Sequence, residues 1–233
     1  IRGEVSDMNY VIIGNGTAAV GTIEGIRAVD QDGPITVISE EPYHVYGRPL
    51  ISYMLLGKTT EDKMLQYRPT DFYEKNGVTT LLGRKAVRID PTAKAVKLED
   101  GTSVPYDKLC ICTGSRPFVP PMAGLDTVEN KTSFMTLDDA KHLDAMLGSE
   151  NDKRVLIIGA GLIGLKCAEG IYQRVKELTV IDLAPRILPN VLTEVPASII
   201  QRHIESKGVK FLLEDSVEQF EPNTAHLKSG KTI

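Results

Sequence analysis

A chain of 233 residues, 42% hydrophobic and 25% charged, has room for one large or two modest domains of ordinary globular composition. A net charge of -4 leaves no broad basic face, which argues against nucleic acid as a partner. No apolar run approaches the roughly 20 residues of a membrane helix, and three cysteines form no disulfide framework, so a reducing cytoplasm is the expected location.

The first seven residues are polar and lack the apolar core of a signal peptide; Met8 is a candidate natural start, with 1–7 an extension. Tyr10–Ile13 reads as a buried parallel strand. The loop Gly14-Asn15-Gly16-Thr17-Ala18-Ala19 follows it directly, then a helix from Thr17 to about Val29. Ile35–Ser39 reads as a second strand, ending at Glu40-Glu41. A strand, glycine-rich turn, helix and strand with an acidic end form the unit that binds a dinucleotide. The first glycine permits the sharp turn and the second lets a pyrophosphate approach the backbone. The third position, Ala19, needs only a small side chain for helix–strand packing. The free N–H groups of the helix start attract phosphate, and Glu40 is placed to take hydrogen bonds from ribose hydroxyls.

Leu50–Leu56 reads as a short helix and Asp71–Lys75 as the end of another. From Thr79 the pattern changes to short strands, at Val78–Leu82, Lys85–Ile89, Ala95–Leu98 and Ser103–Tyr106, with Asp100-Gly101 as a hairpin turn. Leu109–Cys112 returns to the parallel sheet, and Ser115-Arg116-Pro117 with Pro120-Pro121 reads as a linker. Cys110 and Cys112 alternate along the strand and so share one face. They read as buried small hydrophobes rather than as metal ligands or a redox couple, and Cys167 reads as packing too.

Thr136–Leu147 reads as an exposed amphipathic helix. A second phosphate loop follows the strand Arg154–Ile158, at Gly159-Ala160-Gly161-Leu162-Ile163-Gly164. It opens a helix from Leu162 to about Arg174 and precedes a strand ending at Asp182. A carboxylate there suits a free ribose 2′-hydroxyl and repels a 2′-phosphate, which favours NAD over NADP; the nearby Arg186 weighs slightly the other way. A helix over Val195–Lys207, a parallel strand Val209–Leu213 and antiparallel strands at Val217–Phe220 and Ala225–Leu227 complete the pattern. The last four residues read as the middle of a hairpin. The four histidines show no ligand spacing, so no metal site is assigned.

Three features in order carry a specific resemblance: Gly14-x-Gly16-x-x-Ala19 with Glu40, then Cys112-Thr113-Gly114-Ser115-Arg116-Pro117, then Gly159-x-Gly161-x-x-Gly164 with Asp182. From about Met8 onward the chain resembles the N-terminal portion of a two-dinucleotide-binding-domain flavoprotein of the pyridine nucleotide–disulfide reductase superfamily. The stretch Tyr46-Gly47-Arg48-Pro49-Leu50-Ile51-Ser52-Tyr53 is most similar to NADH-dependent rubredoxin, ferredoxin and nitrite reductase flavoproteins. It contains no redox cysteine, which turns the expectation away from disulfide reduction.

The resemblance implies an α/β fold of two Rossmann-like, doubly wound parallel-sheet domains with a small antiparallel insertion. Residues 1–118 would be the first segment of an FAD-binding domain. Residues 119–233 would be a truncated NAD-binding domain, with the C-terminal interface domain absent and a homodimer formed by the longer parent. FAD would meet Gly14, Gly16, Thr17, Ala18, Ala19, Glu40, Arg48, Pro49, the backbone of Val87, Thr113 and Gly114. NAD(H) would meet Gly159, Gly161, Leu162, Ile163, Gly164 and Asp182. The implied activity is hydride transfer from NADH to FAD, then electron delivery to an acceptor protein or small molecule: rubredoxin, ferredoxin, a nitrite-reductase centre or oxygen. No side chain is assigned as catalytic, because the cofactors carry the reaction.

Two departures from the family pattern stand out. Lys166 occupies a position where many relatives have Glu near flavin and nicotinamide, and no Gly-Asp dipeptide occurs in the chain. Three rival readings are a non-catalytic nucleotide-binding fragment or subunit completed by another chain, a cysteine-dependent disulfide reductase, and a dehydrogenase using one loop only.

Overall fold

The computed structural model describes residues 8–233; the N-terminal extension read at 1–7 lies outside the described residues. In chain order the elements begin with β1 (Tyr10–Ile13), α1 (Thr17–Val29) and β2 (Ile35–Ser39). A 3-10 turn at Arg48–Leu50 leads into α2 (Ile51–Leu55), followed by α3 (Glu61–Met64) and α4 (Phe72–Lys75). Then come β3 (Val78–Leu82), β4 (Ala86–Asp90), β5 (Ala95–Leu98), β6 (Ser103–Pro105) and β7 (Lys108–Ile111). The remainder holds α5 (Leu137–Leu147), β8 (Arg154–Ile158), α6 (Leu162–Ile171), β9 (Glu177–Asp182), α7 (Glu194–Glu205), β10 (Val209–Leu213), β11 (Val217–Glu221) and β12 (Thr224–Leu227).

These elements make two compact units. The first holds residues 8–47 and 60–115; the second holds 48–59 and 116–233.

In the first unit a parallel sheet runs in the order β3-β2-β1-β7. Its alternation explains its layers, because successive side chains point to opposite faces of a strand. Ile12, Ile35 and Val37 face α1, where Ala19, Val20 and Ile23 are buried. Val11, Ile13 and Ile38 face the other way, onto Val96 and Leu98 of β5 in the antiparallel sheet β4-β5-β6. Ile12 and Ile23 are fully buried, so truncating either to Ala should cost about 2–5 kcal/mol. The expected strand at Val78–Leu82 forms, but it pairs parallel with β2 rather than joining the antiparallel group.

The second unit repeats the theme with a parallel sheet in the order β10-β9-β8, so β8 lies at its edge. Helix α5 starts with a capping box, in which Thr136 accepts from the Asp139 N–H and Asp139 accepts from the Thr136 N–H. It buries Leu137, Ala140, Leu143 and Leu147 along one stripe and leaves its other face towards solvent, as an amphipathic helix does. At Gly170, α6 and α2 approach so closely that an added Cβ would lie 3.3 Å from both Leu55 and the Ser52 carbonyl.

A staple joins the start of the second unit to its last strands. The Phe220 N–H donates to the Ala123 carbonyl at 2.8 Å, and Gly124 lies against the Phe220 carbonyl. Around it, Met122, Leu125 and Val128 pack with Val217, Phe220, Ala225 and Leu227. Among the described residues, no helix is long and apolar enough to cross a membrane.

Candidate functional site: two phosphate cradles

Both predicted loops form, and their backbones match closely. Gly14 has φ +106° and Gly159 φ +110°, a region open to glycine and costly for other residues. The Gly14 N–H donates to the Ile38 carbonyl at 2.7 Å, and the Gly159 N–H donates to the Ile181 carbonyl at 2.8 Å. Each first glycine is thus fixed to the neighbouring strand, and the chain swings into a helix with an extended glycine as its N-cap.

Those helix starts contrast with that of α5. Neither α1 nor α6 has a side-chain cap or an acidic residue in its first turn, whereas α5 carries both. The first N–H groups of a helix need partners from outside it. A Cβ added to Gly16 or Gly161 would meet nothing within 4 Å, so each second glycine faces open space. Free donors, open space and the positive end of a helix dipole form an anion cradle.

In the first unit, Cys112 and Thr113 wall the loop: a Cβ on Gly14 would fall 2.2 Å from the Cys112 carbonyl oxygen and 3.0 Å from the Thr113 nitrogen. Thr113 is exposed beside it, and Gly114 turns away at φ +67°. Thr17 and Ala18 begin α1 exposed, and Ala19 is fully buried. Glu40 is exposed at the end of β2, with Lys85 Nζ 3.4 Å from its carboxylate. Val87 is the extra residue of a β-bulge between Ala86↔Leu98 and Arg88↔Lys97, a position whose backbone the ladder leaves unpaired.

The structure adds a network that the sequence did not disclose. Asn15, between the two glycines, donates to the Tyr43 carbonyl at 3.1 Å and accepts from the Tyr73 hydroxyl at 2.6 Å. The Tyr73 oxygen accepts in turn from the Val45 N–H, and its ring lies 4.8 Å from that of His44. Burial is the main reason that the Tyr73 phenol is pushed above its ordinary pKa. An Asn between two loop glycines was the available signal.

In the second unit the hub is Ala160. Its N–H donates to Asp182 Oδ2 at 2.6 Å, and its carbonyl accepts from the Leu188 N–H at 2.9 Å. Asp182 Oδ1 also accepts from the Ala184 N–H at 2.8 Å. Leu188 holds φ +49°, strained for a leucine. Arg186 serves this turn, donating to the carbonyls of Leu192 and Pro189 at 3.1 and 3.2 Å. Its guanidinium braces the loop behind Asp182. Leu162 and Ile163 are exposed at the start of α6, while Gly164 touches the Gly159 carbonyl.

Arg48 and Pro49 lie in the second unit, with the Arg48 guanidinium donating to the Met135 carbonyl at 3.0 Å. Lys166 pairs with Glu169 one turn on and lies 4.3 Å over the Tyr53 ring, so its charge is balanced locally. Among the described residues, no group of three metal-ligating side chains comes together.

Residues 8–233 match the family model described as pyridine nucleotide-disulphide oxidoreductase. The chain belongs to that family. It is 29% identical to the NADH-dependent phenylglyoxylate dehydrogenase subunit epsilon of Aromatoleum evansii, over 98% of this chain and 54% of that protein. It is 34% identical to the nitrite reductase [NAD(P)H] of Bacillus subtilis, over 90% of this chain and 26% of that protein. Among solved structures, the covalent putidaredoxin reductase–putidaredoxin complex superposes with a TM-score of 0.87 at 27% identity, covering 97% of this chain and 56% of the other. The α/β fold with parallel and antiparallel sheets is the fold of these family members. The chain spans about half the length of the first of these relatives, and about a quarter of the nitrite reductase.

Proposed function

We propose that this chain is the dinucleotide-binding part of an FAD-dependent NAD(P)H oxidoreductase, with FAD in the first unit, NADH in the second, and an electron-carrier protein or small molecule as acceptor. One observation carries the reading: two helix starts, each without a cap or acid and opened by a glycine that faces free space, each beside an acidic strand end. Relatives named as NADH-dependent or NAD(P)H enzymes support it, and three free cysteines suit a reducing compartment such as the cytoplasm.

When bound, flavin and nicotinamide supply the hydride and electron chemistry. The chain's own residues bind and orient. The N–H groups at Gly16–Ala18 and Gly161–Ile163 take the pyrophosphates, and Glu40 and Asp182 take ribose hydroxyls. The unpaired backbone at Val87 is free for an adenine edge, and Thr113-Gly114 lines the first loop. Asp182 sets the preference for NADH, because its carboxylate is tied to Ala160 where a 2′-phosphate would crowd it. Arg186 is held on the loop behind by two of its N–H groups, which donate to Leu192 and Pro189.

The test is reconstitution with FAD, followed by NADH addition without oxygen. A yellow protein bleached by NADH supports the reading, and a protein that stays colourless with excess FAD sinks it for this chain. A second reading, a binding module completed by further polypeptide, draws on β8, whose outer edge has no partner among the described strands. A disulfide reductase is disfavoured, because no cysteine lies between Val45 and Leu56 and Cys167 is buried with its thiol pushed up to about 12.

A further inference from the structure

We propose that Cys110 and Cys112 are an oxidation-sensitive dithiol behind the first phosphate loop, which hydrogen peroxide closes to a disulfide. The two sulfurs lie 3.5 Å apart, and both are half-buried rather than sealed in the core. Each also lies 3.5 Å from Thr22 Oγ1 of α1. That hydroxyl donates to the Ala18 carbonyl at 2.8 Å, so its lone pairs face the sulfurs and accept from the thiols. Burial holds the Cys112 thiol above its ordinary pKa, which keeps its thiolate scarce and makes the reaction with peroxide slow, so closure depends on the nearness of the second sulfur. Cys167 is an internal contrast: it is buried and no sulfur neighbours it among the described contacts.

The reaction balances without a further partner. Two S–H bonds break and one S–S bond forms. The two electrons break the O–O bond of the peroxide, which leaves with the two thiol protons as two waters. A disulfide needs Cα atoms within about 4.4–6.8 Å, and residues two apart in a strand span about 6.4–6.8 Å. The bridge closes at the limit of its reach, so ordinary dithiols should reduce it readily.

The position gives the chemistry a consequence. Cys112 stands one residue past β7, with its N–H donating to the Ile13 carbonyl at 2.7 Å and its own carbonyl filling the space beside Gly14. Drawing Cys112 towards Cys110 shifts the wall of the first cradle. Resting on the assignment of FAD to that cradle, oxidation should weaken FAD binding several-fold.

The experiment treats the 233-residue chain with hydrogen peroxide, then measures intact mass and maps peptides. The expected product has lost two hydrogens, carries a Cys110–Cys112 crosslink and returns to the starting mass with dithiothreitol. Cys110→Ser and Cys112→Ser should each abolish that loss; Cys167→Ser should retain it. An unchanged mass, added oxygen without a crosslink, or a bridge between two molecules overturns the proposal. FAD titration of the reduced and oxidised wild type reads the coupling. A protein that binds no FAD in either state defeats the cofactor assignment, while the mass result still decides the dithiol.

Discussion

The two phosphate loops share a backbone but place their steric demand on different glycines. In the first loop Gly14 is hemmed in, because β1 is a central strand and the end of β7 lies against it. In the second, an added Cβ on Gly159 would meet nothing within 4 Å, because β8 is an edge strand. The third position reverses the contrast. The first loop accepts the Cβ of Ala19, whereas a Cβ on Gly164 would come within 1.9 Å of the Gly159 carbonyl. So α6 sits closer to its turn than α1 does to its own. A shared motif thus has unequal constraints, set by what stands beside the strand.

The largest expected effects break that contrast directly. Gly14→Ala meets both a backbone carbonyl and a positive φ, and should destabilise the first unit by more than about 3 kcal/mol. Gly164→Ala should cost about 2–4 kcal/mol, while the reverse change Ala19→Gly in the first loop costs only about 1 kcal/mol. Urea unfolding midpoints check all three, and equal costs for Gly164→Ala and Ala19→Gly would erase the difference between the loops.

Next come the second glycines, where the loops should behave alike. Gly16→Ala and Gly161→Ala place a methyl in open space at ordinary backbone angles, and should change stability by under about 0.5 kcal/mol. Each should weaken its own dinucleotide at least about tenfold, near 1.4 kcal/mol. Titration of FAD and of NADH against each variant separates the sites. Asp182→Ala removes two hydrogen bonds from the second loop and should weaken NADH by about 1–3 kcal/mol; Glu40→Ala should touch FAD alone. A variant that weakens both cofactors equally would break the one-loop, one-cofactor assignment.

The last effect concerns pH, is negligible near neutrality, and is read most simply in the second unit. Burial raises the Cys167 thiol from about 9 to about 12 in the folded protein. Below about pH 9 neither state ionises. As pH rises from about 9 towards about 12, the unfolded thiol loses its proton and the folded one keeps it. The stability of the second unit should then fall by up to about 1.4 kcal/mol per pH unit. Comparing wild type with Cys167→Ala by urea unfolding at roughly pH 8 and roughly pH 10 isolates this slope.

Much of this was legible because the signals are local. Apolar runs ending in glycine gave β1 and β8, and their phosphate loops formed where the spacing placed them. Long-range pairing was not legible. Nothing in Val78–Leu82 says that it runs parallel to β2, and nothing near Arg48 says that its segment packs with α6. The bulge at Val87 depends on the register with β5. The strained Leu188 and the bond from Asp182 to Ala160 depend on a turn that folds back onto the loop. Cys110 and Cys112 were correctly placed on one face, but only Thr22, from a distant helix, turns that face into a shared hydrogen-bonded pocket.

The staple between Ala123-Gly124 and Phe220 has a consequence for synthesis. A chain emerging from the ribosome N-terminus first can assemble all strands of the first unit once Ile111 is free. The second unit opens with a segment whose partners follow far later in the sequence, so Met122, Leu125 and Val128 must wait, exposed, until Phe220 arrives. Its folding therefore lags behind the synthesis of its own opening segment, and that interval is when a chaperone has most to protect.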